Sequence, residues 1–232
     1  MLDRLREAVL EANLEIVRRG LVLYTFGNVS GIDRASGHVV IKPSGVDYER
    51  LTPGEMVVTD LDGRTVAGNL RPSVDLMTHL ALYRAFPAIG GVVHTHSEFA
   101  TIFAQAKREV PALGTTHADY FHGPIPVTRD LTTEEIAGDY VGNTGRVIAE
   151  TFEGRDPMAV PAALVASHGP FAWGPTPAAA VHNAVVLEAV AKLAVHTLML
   201  APSLPPMPPA LLDQHFLRKH GSQATYGQGD DC

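Results

Sequence analysis

The chain has 232 residues, 46% hydrophobic and 19% charged, an ordinary globular composition that excludes disorder along its whole length and suffices to bury a core. A formal net charge of -7 excludes a broad nucleic-acid surface, which needs Lys and Arg in excess, but not a small phosphorylated metabolite held by a few local donors. The single cysteine, Cys232, excludes an intramolecular disulfide and fits a reducing compartment.

In chain order, Leu2 to Arg19 places Leu5, Val9, Ala12 and Ile16 on one helical face, and Gly20 stops it. Charges run through this segment without an apolar core, so it does not read as a signal peptide, and a cytoplasmic location is expected. Leu21 to Thr25, Val39 to Lys42 and Met56 to Asp60 are β-prone runs, each followed by turn residues. Helix is predicted from near Val74 to Pro87, a strand over Gly91 to His96, and helix again over Phe99 to Lys107. Thr132 and Glu135 have capping-box spacing and predict a helix running toward Phe152.

Ala162 to Ser167 is an apolar strand candidate. Thr176-Pro177 opens a long Ala-rich helix. Its stretch Ala178 to Ala201 contains His182, Asn183, Glu188, Lys192 and His196, groups costly in a bilayer, so a buried helix is expected and no membrane contact. A short helix near Leu211 to His220 precedes a polar tail over about 221–232. With no repeat, dividing linker or dinucleotide-binding glycine fingerprint, residues 1–232 read as one α/β domain with helices on both faces of a central sheet.

Residues two apart in a strand face the same side, so His94 and His96 are spaced to grip one cation. His168 follows a second apolar strand and precedes Gly169-Pro170. Three neutral imidazoles with an open fourth position describe a catalytic divalent site, favouring Zn2+ with Mn2+ or Co2+ as substitutes. Spacing alone does not choose the third histidine, because His79, His117 and His122 compete with His168.

Gly27-Asn28-Val29-Ser30, Lys42-Pro43-Ser44-Gly45-Val46-Asp47-Tyr48, Val93-His94-Thr95-His96-Ser97, Gly114-Thr115-Thr116-His117-Ala118-Asp119-Tyr120 and Ser167-His168-Gly169-Pro170-Phe171-Ala172-Trp173-Gly174 together resemble the class II aldolase/epimerase family, over nearly the whole chain. The resemblance implies a three-layer α/β/α fold around a mixed, largely antiparallel sheet. It also implies a C4 homotetramer with interfacial active sites, and a zinc-type cation on His94, His96 and His168 that Asp75 can join. An aspartate at position 75 is typical of the epimerase branch. The phosphate of a small sugar phosphate is then expected on Gly27, Asn28, Lys42, Ser44, Gly45, Ser73 and Val74. The family commonly has a second serine where this chain has Val74, which removes one hydroxyl donor.

The activity the resemblance implies is interconversion of L-ribulose 5-phosphate and D-xylulose 5-phosphate. Because C4 carries no acidic proton, the C3-C4 bond is broken by a retro-aldol step and re-formed on the other face of the aldehyde. By family position the proton-transfer groups are Asp119 and Tyr226, with Tyr226 from a neighbouring subunit and His215 in support. A raised Asp119 pKa and a lowered Tyr226 pKa would suit that work. Two other readings stand beside it: a class II aldolase acting on a sugar phosphate such as L-fuculose 1-phosphate, and a metal-binding oligomer without catalysis.

Overall fold

The structure is a computed structural model that describes residues 2–221 and 224. Among these, seven strands form one sheet: β1 (Asn28–Asp33), β2 (His38–Ile41), β3 (Val57–Thr59), β4 (Thr65–Ala67), β5 (Gly91–His94), β6 (Ala162–Leu164) and β7 (Pro170–Gly174), in spatial order β4-β3-β2-β1-β5-β7-β6. Neighbouring strands are all antiparallel. The expected mixed sheet is antiparallel between all its named strands, and the parallel bridge of Val127 to Leu164 lies outside those pairings. The helices are α1 (Leu2–Arg18), α2 (Leu76–Ala85), α3 (Glu98–Ala106), α4 (Thr115–Ala118), α5 (Thr133–Ala137), α6 (Tyr140–Thr151), α7 (Pro177–Leu200) and α8 (Pro209–His220).

Strand alternation builds the three layers. Val29, Val40, Val58, Val93 and Ala172 pack in one core with Val9 and Ile16 of α1, Phe103 of α3 and Leu187 of α7. Their neighbours Val39, Ile41, Val57, Val92, Phe171 and Trp173 point the other way, into a second core with Leu80 and Tyr83 of α2 and Ile148 of α6. By length and composition α7 is apolar enough to cross a membrane, but Ala180, Ala184, Leu187, Ala191 and Ala194 are buried in the first core. Thr176 caps its start by accepting from the Ala179 N-H at 3.1 Å.

Several expected elements change. Leu21 to Thr25 forms no strand: Leu23 and Tyr24 are 68% and 90% exposed, and Tyr24 takes φ 52°, a left-handed conformation that no strand accommodates. The capping box of Thr132 and Glu135 is present, but the helix it opens ends at Gly138. Asp139 then starts α6 afresh by accepting from the Gly142 N-H at 3.0 Å. The His94 strand stops at His94, so His96 sits in the turn before α3 rather than in a strand. Strands β1, β4 and β7 are not among the β-prone runs of the sequence.

Candidate active site

His94 ends β5 beside Asn28 of β1 and Phe171 of β7, its register partners. It faces the α2 side of the sheet and stacks on the Phe171 ring at a centroid distance of 4.2 Å. Its Nδ1 lies 3.0 Å from the Pro170 carbonyl, and a carbonyl can only accept, so Nδ1 carries the proton and Nε2 is left with a bare lone pair. That Nε2 is 3.1 Å from Nε2 of His96. His168 completes the group: one ligand atom from each of the three residues lies within 4.8 Å of the others. The rings meet nearly perpendicular, at 70° to 78°, with centroids 4.8 to 5.0 Å apart.

Burial pushes His94 down to about 3 and also lowers His96 and His168. The shift favours the neutral, lone-pair form of each ring, the form that ligation requires. Convergent neutral nitrogens with one tautomer already fixed fit a zinc-type cation. The three competing histidines lie outside this group. His79 is buried with Nδ1 2.7 Å from the Ser30 hydroxyl, His117 donates from Nε2 to the Gly123 carbonyl at 2.7 Å, and His122 pairs with Asp213 at 2.7 Å.

Asp75 occupies the position just before α2 without a side-chain capping bond and lines the same cleft, but it is not in the convergent group. Its Oδ2 accepts from the Asn28 amide at 2.6 Å. Burial works to raise this carboxyl, but the nearby His94 and His79 imidazoles and the Asn28 bond outweigh it and hold the group below its ordinary value.

The cleft has a volume of about 590 Å³, within the size range of small-molecule sites. Every residue expected at the phosphate lines it: Gly27, Asn28, Lys42, Ser44, Gly45, Ser73 and Val74 share its wall with Asp75 and the three histidines. Gly27 has φ 84°, and a Cβ there would meet Val22 Cγ1 at 2.8 Å and the His94 carbonyl at 3.0 Å, so only glycine fits between the loop and β5. Tyr48 fixes this loop from below by donating to the Gly27 and Phe26 carbonyls at 2.8 and 3.1 Å.

Lys42 is 2% exposed. Its Nζ lies 3.3 Å from the Pro43 carbonyl and 4.7 Å from the centre of the Tyr48 ring. Burial pushes this ammonium down to about 8. A buried cation supported by one carbonyl and one aromatic face is poised for an anion. Ser73 is 8% exposed while Val74 is 70% exposed, just ahead of the α2 N-terminus.

Asp119 and His215 are not among the described residues lining the cleft. They form a separate cluster where α8 docks beside α4. Asp119 Oδ1 lies 3.0 Å from His215 Nδ1 and 3.1 Å from Arg218, and Oδ2 lies 3.6 Å from Lys219. Burial opposes ionisation, but these partners prevail and hold Asp119 below its ordinary value, the reverse of the expected raised pKa. Tyr226 lies outside the described residues. Thr25, Phe26, Pro43, Tyr140 and Val141 also line the cleft. The first three neighbour expected residues, whereas nothing in the sequence marks Tyr140 and Val141.

A three-layer fold that sets a histidine triad and a buried lysine in one cleft is an arrangement of the class II aldolase type. The chain belongs to the family described as Class II Aldolase and Adducin N-terminal domain, which matches residues 7–195. Among individual proteins it is similar to L-ribulose-5-phosphate 4-epimerase UlaF of Salmonella paratyphi C (strain RKS4594), 54% identical over 227 residues, covering 98% of this chain and 100% of that protein. The protein of that name from Salmonella typhi has the same identity and coverage. A solved L-fuculose 1-phosphate aldolase superposes with a TM-score of 0.72 at 24% identity, covering 91% of this chain and 94% of that one.

Proposed function

We propose that the protein is an L-ribulose-5-phosphate 4-epimerase, interconverting L-ribulose 5-phosphate and D-xylulose 5-phosphate in the cytoplasm. The observation that carries the reading is a single cleft that holds both the convergent His94, His96 and His168 nitrogens and the buried Lys42, in a chain 54% identical along nearly its whole length to proteins of that name. A zinc-type cation, when bound, supplies Lewis acidity to the ketose oxygens.

The remaining work falls to the chain. Lys42, Ser44, Ser73 and the backbone at Gly27 and Gly45 grip the C5 phosphate. They keep the aldehyde fragment in place when the C3-C4 bond breaks, so that it turns without leaving. Asp75 stays ionised beside the histidines and orients Asn28. Asp119, ionised in its His215, Arg218 and Lys219 setting, takes the base role at one face of the aldehyde, and Tyr226 serves the other. Since Asp119 is not on the cleft wall of its own chain, we infer that a neighbouring copy in a C4 tetramer brings Asp119, His215 and Tyr226 to this cleft. The exposed Leu23, Tyr24 and Phe26, leading directly into the Gly27 loop, offer apolar surface for that contact.

The test is a coupled assay of L-ribulose 5-phosphate turnover with and without a chelator. D-xylulose 5-phosphate formation that chelation abolishes and zinc or manganese restores is the expected result. Release of dihydroxyacetone and glycolaldehyde phosphate without epimer would instead make the protein an aldolase.

A further inference from the structure

The proton on the Pro170-bound nitrogen of His94 leaves its Nε2 bare for the cation. His168 needs the same service, and its Nδ1 lies 3.3 Å from the hydroxyl of Tyr140, a residue 40% exposed on the cleft wall. Tyr140 is the first residue of α6, and its backbone is held firmly. Thr78 of α2 donates to the Val141 carbonyl at 2.7 Å, and Thr144 donates to the Tyr140 carbonyl at 2.9 Å. At Gly145 the two helices touch: a Cβ there would fall 2.5 Å from the Ala81 Cβ and 3.0 Å from the Thr78 carbonyl. Helix α2 also begins at Asp75. One docked helix pair therefore fixes both Asp75 and Tyr140 with respect to the histidines.

We propose that Tyr140 is a positioning residue of the metal centre: its hydroxyl oxygen accepts the Nδ1 proton of His168, so that Nε2 is the nitrogen turned to the cation. The inference rests on reading His94, His96 and His168 as the metal ligands. A hydrogen bond to the outer nitrogen of a ligating imidazole fixes its tautomer and ring orientation, and its loss typically weakens metal binding by about 10- to 100-fold. At 3.3 Å this bond is long and partly exposed, so the lower end, about tenfold, is expected.

Tyr140→Phe keeps the ring and removes the oxygen. The experiment measures cobalt affinity of wild type and Y140F by competition with a chelating dye, records the visible spectrum of the bound cobalt, and measures inorganic phosphate binding in parallel. Expected are one cobalt per wild-type chain, about tenfold weaker binding with an altered spectrum in Y140F, and unchanged phosphate binding. At limiting metal, turnover of Y140F should fall and return as metal is raised, with KM for the sugar phosphate unaltered. Wild-type cobalt affinity and spectrum in Y140F would overturn the inference alone. Loss of cobalt and phosphate binding together would also overturn it, by pointing to a displaced α6. A wild-type protein that binds no cobalt at the histidines would remove the metal reading and the inference with it.

Discussion

Replacing Lys42 by methionine separates what its ammonium costs the fold from what it does for the ligand. Burial lowers the ammonium from 10.5 to about 8, which corresponds to about 3 kcal/mol against the charged form in the ligand-free protein at pH 7. Methionine has a similar volume and no charge. Losing the Tyr48 face and the Pro43 carbonyl takes back about 1 kcal/mol. Lys42→Met is therefore expected to stabilise the ligand-free protein by about 2 kcal/mol, on the order of 5 °C in Tm for a chain of this size, while abolishing activity.

Between pH 8 and 10.5 the unfolded chain keeps a proton on this lysine that the folded state has released. Wild-type stability contributed by this group therefore rises with pH across that window, and the gap to the variant closes. The assay is thermal unfolding at fixed protein concentration, with and without inorganic phosphate. Phosphate should raise the wild-type Tm and leave the variant unmoved. A variant less stable than wild type at pH 7, with its phosphate response intact, would refute the reasoning.

Other substitutions divide the site further. His96 is exposed, so His96→Asn should remove the bound metal, measured by elemental analysis, while changing metal-free stability by under about 0.5 kcal/mol. Asp119→Asn should retain metal and phosphate but lower kcat by about 10²- to 10⁴-fold, as expected for a lost acid/base group. If neighbouring copies share each site, refolding Lys42→Met and Asp119→Asn chains together in equal amounts should restore about a quarter of wild-type activity, and no recovery would argue that one chain supplies both residues. Gly145→Ala should cost about 1–3 kcal/mol by overpacking α6 against α2 and, by shifting Tyr140, weaken cobalt binding.

The sequence made much of the fold legible wherever burial imposes a period. Val39 to Ile41 and Val57 to Val58 alternate between the two cores, and Thr176-Pro177 and the Thr132 capping box mark helix starts that the structure keeps. Strand β1 escaped because Asn28, Ser30 and Gly31 interrupt its β-prone residues. Gly31 is required by close packing: a Cβ would meet Pro177 Cγ at 2.8 Å and Leu5 Cδ1 at 2.9 Å. Leu21 to Thr25 misled in the opposite direction, because β-prone side chains there are largely exposed outside the sheet.

At the site, His-x-His was legible as a pair. The choice of His168 over His79, His117 and His122 followed from resemblance in the sequence and from convergence in space. Tyr140 was not legible, since only tertiary folding brings position 140 to 168. The Asp119 pKa went the other way because His215, Arg218 and Lys219, nearly a hundred residues further on, lie against it.

The central claim is that C4 is inverted by breaking and re-forming the C3-C4 bond, without removal of the C4 hydrogen. The most direct measurement is turnover in ordinary water of L-ribulose 5-phosphate carrying deuterium at C4, followed by mass spectrometry of the product. The account predicts D-xylulose 5-phosphate with the deuterium retained, formed only when the metal is present. Product that has exchanged its C4 deuterium for solvent hydrogen would contradict it.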